Sequence, residues 1–369
     1  RGGLLLGRGV SDDKGPAVAA LQSLLALRDA DKPRSRDVRL LLGTDEERGM
    51  AGIAYYFRHN PKPAMAFTPD AYYPVINAEK ALVRFSLRGT GNSTPGAAES
   101  SAFSVLEIRS GDALNLVPSE AQVRLSPARD STAEAHGALI AALERHGEQR
   151  SSMSPGPEGL QITVSGKQAH SAFPELGDNA AARCLRVLRG LSGLVAVPAS
   201  VLALGSLASG PANGEALGMA GSDPVSGATT VSLSRLRLEA GTLEADFDAR
   251  VHVTADLAAL ERAVRQRANA ANLRLVTLGS VPALHVPSDH PVVGPLRDAY
   301  ASITGQEAEL SATGGATYAR SLGGSGVAFG AAMPGSDYRQ HRADEAVPEA
   351  DYLLHLQICT DALDRLSRT

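Results

Sequence analysis

The apolar pattern changes period twice along this 369-residue chain, and that double change constrains the fold more than any single motif. Residues 1–88 alternate short apolar runs with a helical repeat, in the manner of an open α/β sheet. The triplet Leu4–Leu6 reads as strand, and Pro16 opens a helix over AVAALQSLLALRDA. Buried strands are then expected at 37–42 (DVRLLL), stopping at Gly43-Thr44, and at 64–67 (AMAF), stopping at Thr68-Pro69-Asp70. From about residue 80 the strands lengthen and alternate strictly: ALVRFSLRG, AQVRLS, LQITVSG, TTVSLSRLRLEAG and TLEADFDARVHV. Two helices, 131–149 and 178–191, separate them, and Pro155-Gly156-Pro157 reads as a seam. After about Pro287 the first texture returns, with a helix at 290–304, a strand at 326–330 and a last helix from Val347. The reading is one α/β domain made of 1–88 and 287–369, split by an inserted α+β domain of 89–286. The length agrees, because single cores stop growing at about 250–300 residues.

Composition narrows the function. A net charge of −4 with scattered Lys and Arg gives no basic stripe for a phosphate backbone, which excludes nucleic acid as the expected partner. The uncharged stretch 190–214 is broken by Gly, Ser and Pro, so it is expected to pack between two halves of the insert and not to enter a membrane. Cys184 and Cys359 sit in apolar helical stretches and read as buried, reduced thiols of a cytoplasmic protein.

Four places hold polar residues that a fold alone does not request. Gly7-Arg8-Gly9-Val10-Ser11-Asp12-Asp13-Lys14-Gly15-Pro16 is a glycine-rich strand-to-helix turn with paired aspartates, which a simple N-cap also explains. Gly43-Thr44-Asp45-Glu46-Glu47-Arg48-Gly49 sets three carboxylates together, and like charges so crowded repel unless a cation or a shared proton compensates. Asp70 ends one strand, and His341 follows the strand VAFGAAM. Together Asp12, Glu47, Asp70 and His341 would line one rim of one sheet, an oxygen and imidazole set suited to zinc. Glu46, beside a ligand, fits a general base.

With these residues in place, five ordered motifs become a resemblance: GRGVSDDKGP, GTDEE, PDAYYPVINAEK, GKQAHSAFPELGDNA and GATYAR with a late His. They resemble the dinuclear-zinc aminoacylase and dipeptidase metallopeptidase family, in the branch of bacterial dipeptidases that cleave β-alanyl and other short dipeptides. The resemblance implies a hydrolase whose α/β domain is catalytic and whose α+β insert is its lid, with two Zn2+, Mn2+ or Co2+ being alternatives. Asp12 would bridge the metals across a cis Asp12-Asp13 peptide, Glu47 and His341 would complete one site, Asp70 would serve the other, and Glu46 would be the base. It further implies that His170 holds the oxyanion, that Arg250 and Asn115 bind substrate, and that Gly314 belongs to a backbone cradle near it. On the residues alone these four read as a loop histidine, an exposed strand arginine, a turn residue and a helix start. The family's first ligand, the His of an H-x-D motif, would precede Arg1, so one metal site is expected to be incomplete in the chain as printed. The expected enzyme is a monomeric dipeptidase acting on small peptides. An N-acyl amino acid deacylase, such as one acting on succinyl-diaminopimelate, and a non-catalytic remnant are the alternatives.

Overall fold

The computed structural model describes residues 2–90, 101–129, 131–147, 149–156, 159–340 and 343–368. It divides into two compact units, one made of Arg1–Lys80 with Ala283–Thr369 and the other of Ala81–Pro282. The boundary falls at 80/81, not 88/89, because the strand Ala81–Thr90 pairs on both edges inside the second unit, with Thr242–Val251 and Arg274–Val281.

In the first unit, the helix Lys14–Asp29 buries Pro16, Ala19, Ser23 and Leu27, a single stripe at helical spacing. That stripe packs on the helix Glu349–Arg368, where Thr360 donates to Ser23 Oγ at 2.9 Å. The sheet is mixed, not all-parallel. Ala66–Thr68 runs parallel to Gly326–Ala328, and Val75–Glu79 lies between Leu310–Thr313, parallel, and Leu284–His285, antiparallel. Every residue of Val75–Glu79 is buried, as suits a central strand covered on both faces. Tyr73, Tyr300 and Phe329 anchor the apolar core beneath it.

The expected strand at 37–42 is absent. Residues 37–42 form no ladder, and Leu42 is 69% exposed. A strand needs a hydrogen-bonding neighbour; Leu4–Leu6 takes Ala346–Pro348 instead, and no described strand pairs with 37–42.

The second unit is built on a nine-stranded sheet among the described residues. Its path runs Arg274–Val281, Ala81–Thr90, Thr242–Val251, Thr230–Glu239, Phe103–Ser110, Glu120–Pro127, Gly159–Ser165, Ser151–Gly156. Val195–Ala196 adds in parallel to Phe103–Ser110. Because Thr230–Glu239 pairs with Phe103–Ser110, the two strand-rich halves are one sheet, and no seam falls at Pro155-Gly156. Those two residues end an edge strand, where proline is tolerated; Pro157 lies outside the described residues. The uncharged stretch contributes the helix Ala199–Ala208, which packs on the helix Ala180–Leu191. No helix among the described residues is long and apolar enough to cross a membrane. Both cysteines are buried, and burial pushes each thiol up to about 12.

Candidate active site

Two glycines shape the first acidic turn. Gly9 has φ of +85°, and a Cβ on Gly15 would meet the Val10 carbonyl oxygen at 2.0 Å, so the turn folds back too closely for a side chain there. The Asp12-Asp13 peptide is cis. Asp13 stands at the N-cap of the helix Lys14–Asp29, yet its side chain makes no capping hydrogen bond, so capping does not account for Asp13.

Capping does account for one of the three carboxylates in the second turn. Asp45 accepts from Ala51 N at 2.6 Å and Gly52 N at 2.8 Å, closing the start of the helix Ala51–His59. Glu46 and Glu47 follow Asp45 on the short turn Glu46–Arg48.

The acids of the three segments sense one another. Burial pushes Asp70 up to about 9, and the charges of Asp13, Glu46, Asp12 and Glu47 push in the same direction. Burial likewise pushes Glu46 up to about 7, helped by Glu47, Asp12, Asp13 and Glu79. Residues more than 50 positions apart, Asp12 and Asp70, are therefore gathered into one field of like charge, which a divalent cation would neutralise. Among the described residues no three His, Cys, Asp or Glu side chains close on a single point that could hold a metal. His341 lies outside the described residues. The donor chemistry still fits a divalent ion, being oxygen-rich, crowded and mutually repelling.

In the second unit, Ser171 N donates to the Asn115 carbonyl at 2.9 Å, and Ala169–His170 pairs with Leu116–Val117. Two candidate substrate residues distant in sequence thus share one exposed edge. Ala172 N donates to His170 Nδ1 at 3.1 Å, which leaves the proton of the neutral ring on Nε2. Arg250 is not an exposed strand arginine. It is 4% exposed, and Asp248, also buried, takes its Nε at 2.6 Å and Nη2 at 3.1 Å. Gly314 is buried in the turn after Leu310–Thr313, where Thr317, not a long helix, follows as cap of the short turn Tyr318–Leu322.

A family model for peptidase family M20/M25/M40 matches residues 1–365. The chain belongs to that family. "Putative dipeptidase YtjP" of Bacillus subtilis (strain 168) is 31% identical over 370 residues, covering 100% of this chain and 78% of its own. The Beta-Ala-Xaa dipeptidase of Lactobacillus delbrueckii subsp. lactis is 28% identical, covering 99% and 76%. The crystal structure of aminoacylhistidine dipeptidase from Vibrio alginolyticus shares the fold with a TM-score of 0.52 at 15% identity, over 93% of this chain and 74% of that one.

Two residues of this M20/M25/M40 chain join the acidic cluster without having been singled out in the sequence. Glu79, fully buried, accepts from Thr317 Oγ1 at 2.6 Å and pairs with Arg320, which also donates to the Lys80 and Gly315 carbonyls. It thereby ties the Gly314 turn to the central strand. A glutamate inside the apolar run VINAE was the visible signal. Tyr318 is the other: its hydroxyl occupies the space a Gly43 side chain would need, and Asp45, Glu46 and Asp70 help push its pKa up after burial. Nothing in the sequence marked that pairing.

Proposed function

We propose that this chain hydrolyses the peptide bond of dipeptides carrying a free carboxylate. The observation that carries the reading is the convergence of Asp12, Glu46, Glu47 and Asp70 in one like-charged cluster, in a chain that matches the Beta-Ala-Xaa dipeptidase over 99% of its length. Asp12, Glu47 and Asp70, with His341, would hold the divalent ions, two Zn2+ in the complete site. When bound, such ions polarise the scissile carbonyl and make water a nucleophile near neutral pH.

The chain's own groups do the rest. Glu46 takes the proton of the attacking water and hands it to the leaving amine. His170, with its proton on Nε2, donates to the developing oxyanion. Arg250, held in orientation by Asp248, meets the substrate carboxylate, and Asn115 and Gly314 complete the substrate contacts. The protein works as a monomer in the cytoplasm; sedimentation of an active preparation showing a stable dimer would overturn the monomer.

Paired variants test the assignment. Glu46→Gln is expected to cut dipeptide turnover by about 10²-fold or more while zinc content stays at the wild-type level. Glu47→Gln is expected to lose zinc. Equal loss of zinc in both would overturn the roles given to the pair. Release of amino acids from N-acyl substrates but not from β-alanyl or α-linked dipeptides would replace the dipeptidase with a deacylase.

A further inference from the structure

Glu345 is 2% exposed and lies directly under the glycine-rich turn. Its Oε1 accepts from Ser11 N at 2.8 Å and Asp12 N at 3.0 Å; its Oε2 accepts from Gly9 N at 2.8 Å and from Arg8 Nη1 at 3.3 Å. Three main-chain N–H groups of one turn therefore converge on a single carboxylate, the arrangement by which a concave stretch of backbone selects an anion. The anion here is supplied by the chain itself, 333 residues beyond Asp12.

The main chain of Glu345 is fixed as firmly as its side chain. Gly7 N donates to its carbonyl at 3.2 Å, and the next three residues, Ala346–Pro348, pair with Leu4–Leu6. A glutamine would have sufficed to hold a polar loop, since its carbonyl also accepts N–H groups. The chain instead buries a further negative charge beneath a turn that already carries Asp12 and Asp13, and the cation that partly offsets it, Arg8, is 56% exposed. Such an expensive choice makes sense if the turn needs all three N–H groups held at once, so that Asp12 starts from one fixed backbone position.

We propose that Glu345 is a positioning residue, holding the 9–12 turn so that Asp12 presents its carboxylate to a divalent cation. The inference rests on the reading of Asp12 as a metal ligand. Groups that orient ligands from behind typically change metal affinity by about 10- to 100-fold when replaced.

The test measures zinc affinity of the full-length protein by competition with a chromophoric chelator, alongside thermal melting in EDTA and the visible absorption of the Co2+-loaded protein. Glu345→Gln is expected to keep native circular dichroism, to weaken zinc binding about 10- to 100-fold, and to alter the Co2+ spectrum. Glu345→Asp, which keeps the charge one methylene short, is expected to recover part of the affinity. A folded Glu345→Gln protein that binds zinc within threefold of wild type overturns the proposal, even if it melts earlier, because that is the signature of a purely structural role. Should Glu345→Gln fail to fold, Glu345→Asp decides, and wild-type zinc affinity with a wild-type Co2+ spectrum overturns the proposal. A wild-type protein that binds zinc but leaves dipeptides intact overturns the dipeptidase reading and leaves this one standing. A wild-type protein that takes up no zinc overturns both.

Discussion

His355 is a buried histidine that burial keeps neutral, and the stability of the first unit is expected to fall with acid because of it. It is 2% exposed, its Nδ1 meets the Tyr73 hydroxyl at 2.8 Å, and its Nε2 has no hydrogen-bond partner among the described residues. It also lines a cavity of about 10 Å3 with Ser11, Tyr338 and Asp351. Burial pushes its pKa down to about 4 from an ordinary 6.5. The unfolded chain therefore takes up a proton near pH 6.5 that the folded chain refuses until about pH 4, so unfolding gains ground as pH falls through that window. A gap of roughly 2.5 units is about 3 kcal/mol in full, of which about 2 kcal/mol develops between pH 7 and pH 5. Other groups titrate there too, so the quantity to measure is the difference between wild type and His355→Gln, whose amide can still reach Tyr73. All eight tyrosines belong to the first unit and the chain has no tryptophan, so tyrosine emission during urea unfolding reports on that unit alone. Between pH 7 and pH 5 the wild type should lose about 2 kcal/mol more than the variant. Parallel losses would refute the argument.

Two further outcomes follow from packing. Asp248→Ala should destabilise the second unit by about 3–5 kcal/mol, because it removes the buried carboxylate that Arg250 and Arg84 share; circular dichroism melts would show it, and a loss under about 1 kcal/mol would contradict the pairing. Gly15→Ala should cost about 1–3 kcal/mol through the clash with the Val10 carbonyl, read by tyrosine emission in urea, and an unchanged midpoint would contradict that close approach.

What the sequence made legible was local. Asp12, Glu46, Glu47 and Asp70 stood out because each follows an apolar run and precedes a break, and the structure gathers them. The α/β texture with its α+β insert was readable from period alone, although the edges moved to 80/81 and 282/283. Residues 37–42 misled because an apolar run says nothing about whether a neighbouring strand exists to receive its hydrogen bonds. Pro155-Gly156 misled in the opposite sense, since an edge strand accepts what a central one would not. Arg250 and Glu345 were opaque for a third reason. The partner that gives each its meaning is chosen by packing, as Asp248 is, or lies hundreds of residues away, as Gly9, Ser11 and Asp12 do from Glu345.

The pairing of Leu4–Leu6 with Ala346–Pro348 also sets an order of events during synthesis. A ribosome releases the first of these strands about 340 residues before its partner, a delay on the order of half a minute at about 5–20 residues per second. Over that interval the strands of 81–282 emerge with all their sheet neighbours already in hand. The second unit can thus be finished on the nascent chain while the apolar residues of 2–80 wait, exposed to any chaperone that binds such segments. The turn at Asp12 gains the carboxylate that accepts its three main-chain N–H groups only when Glu345 has been translated.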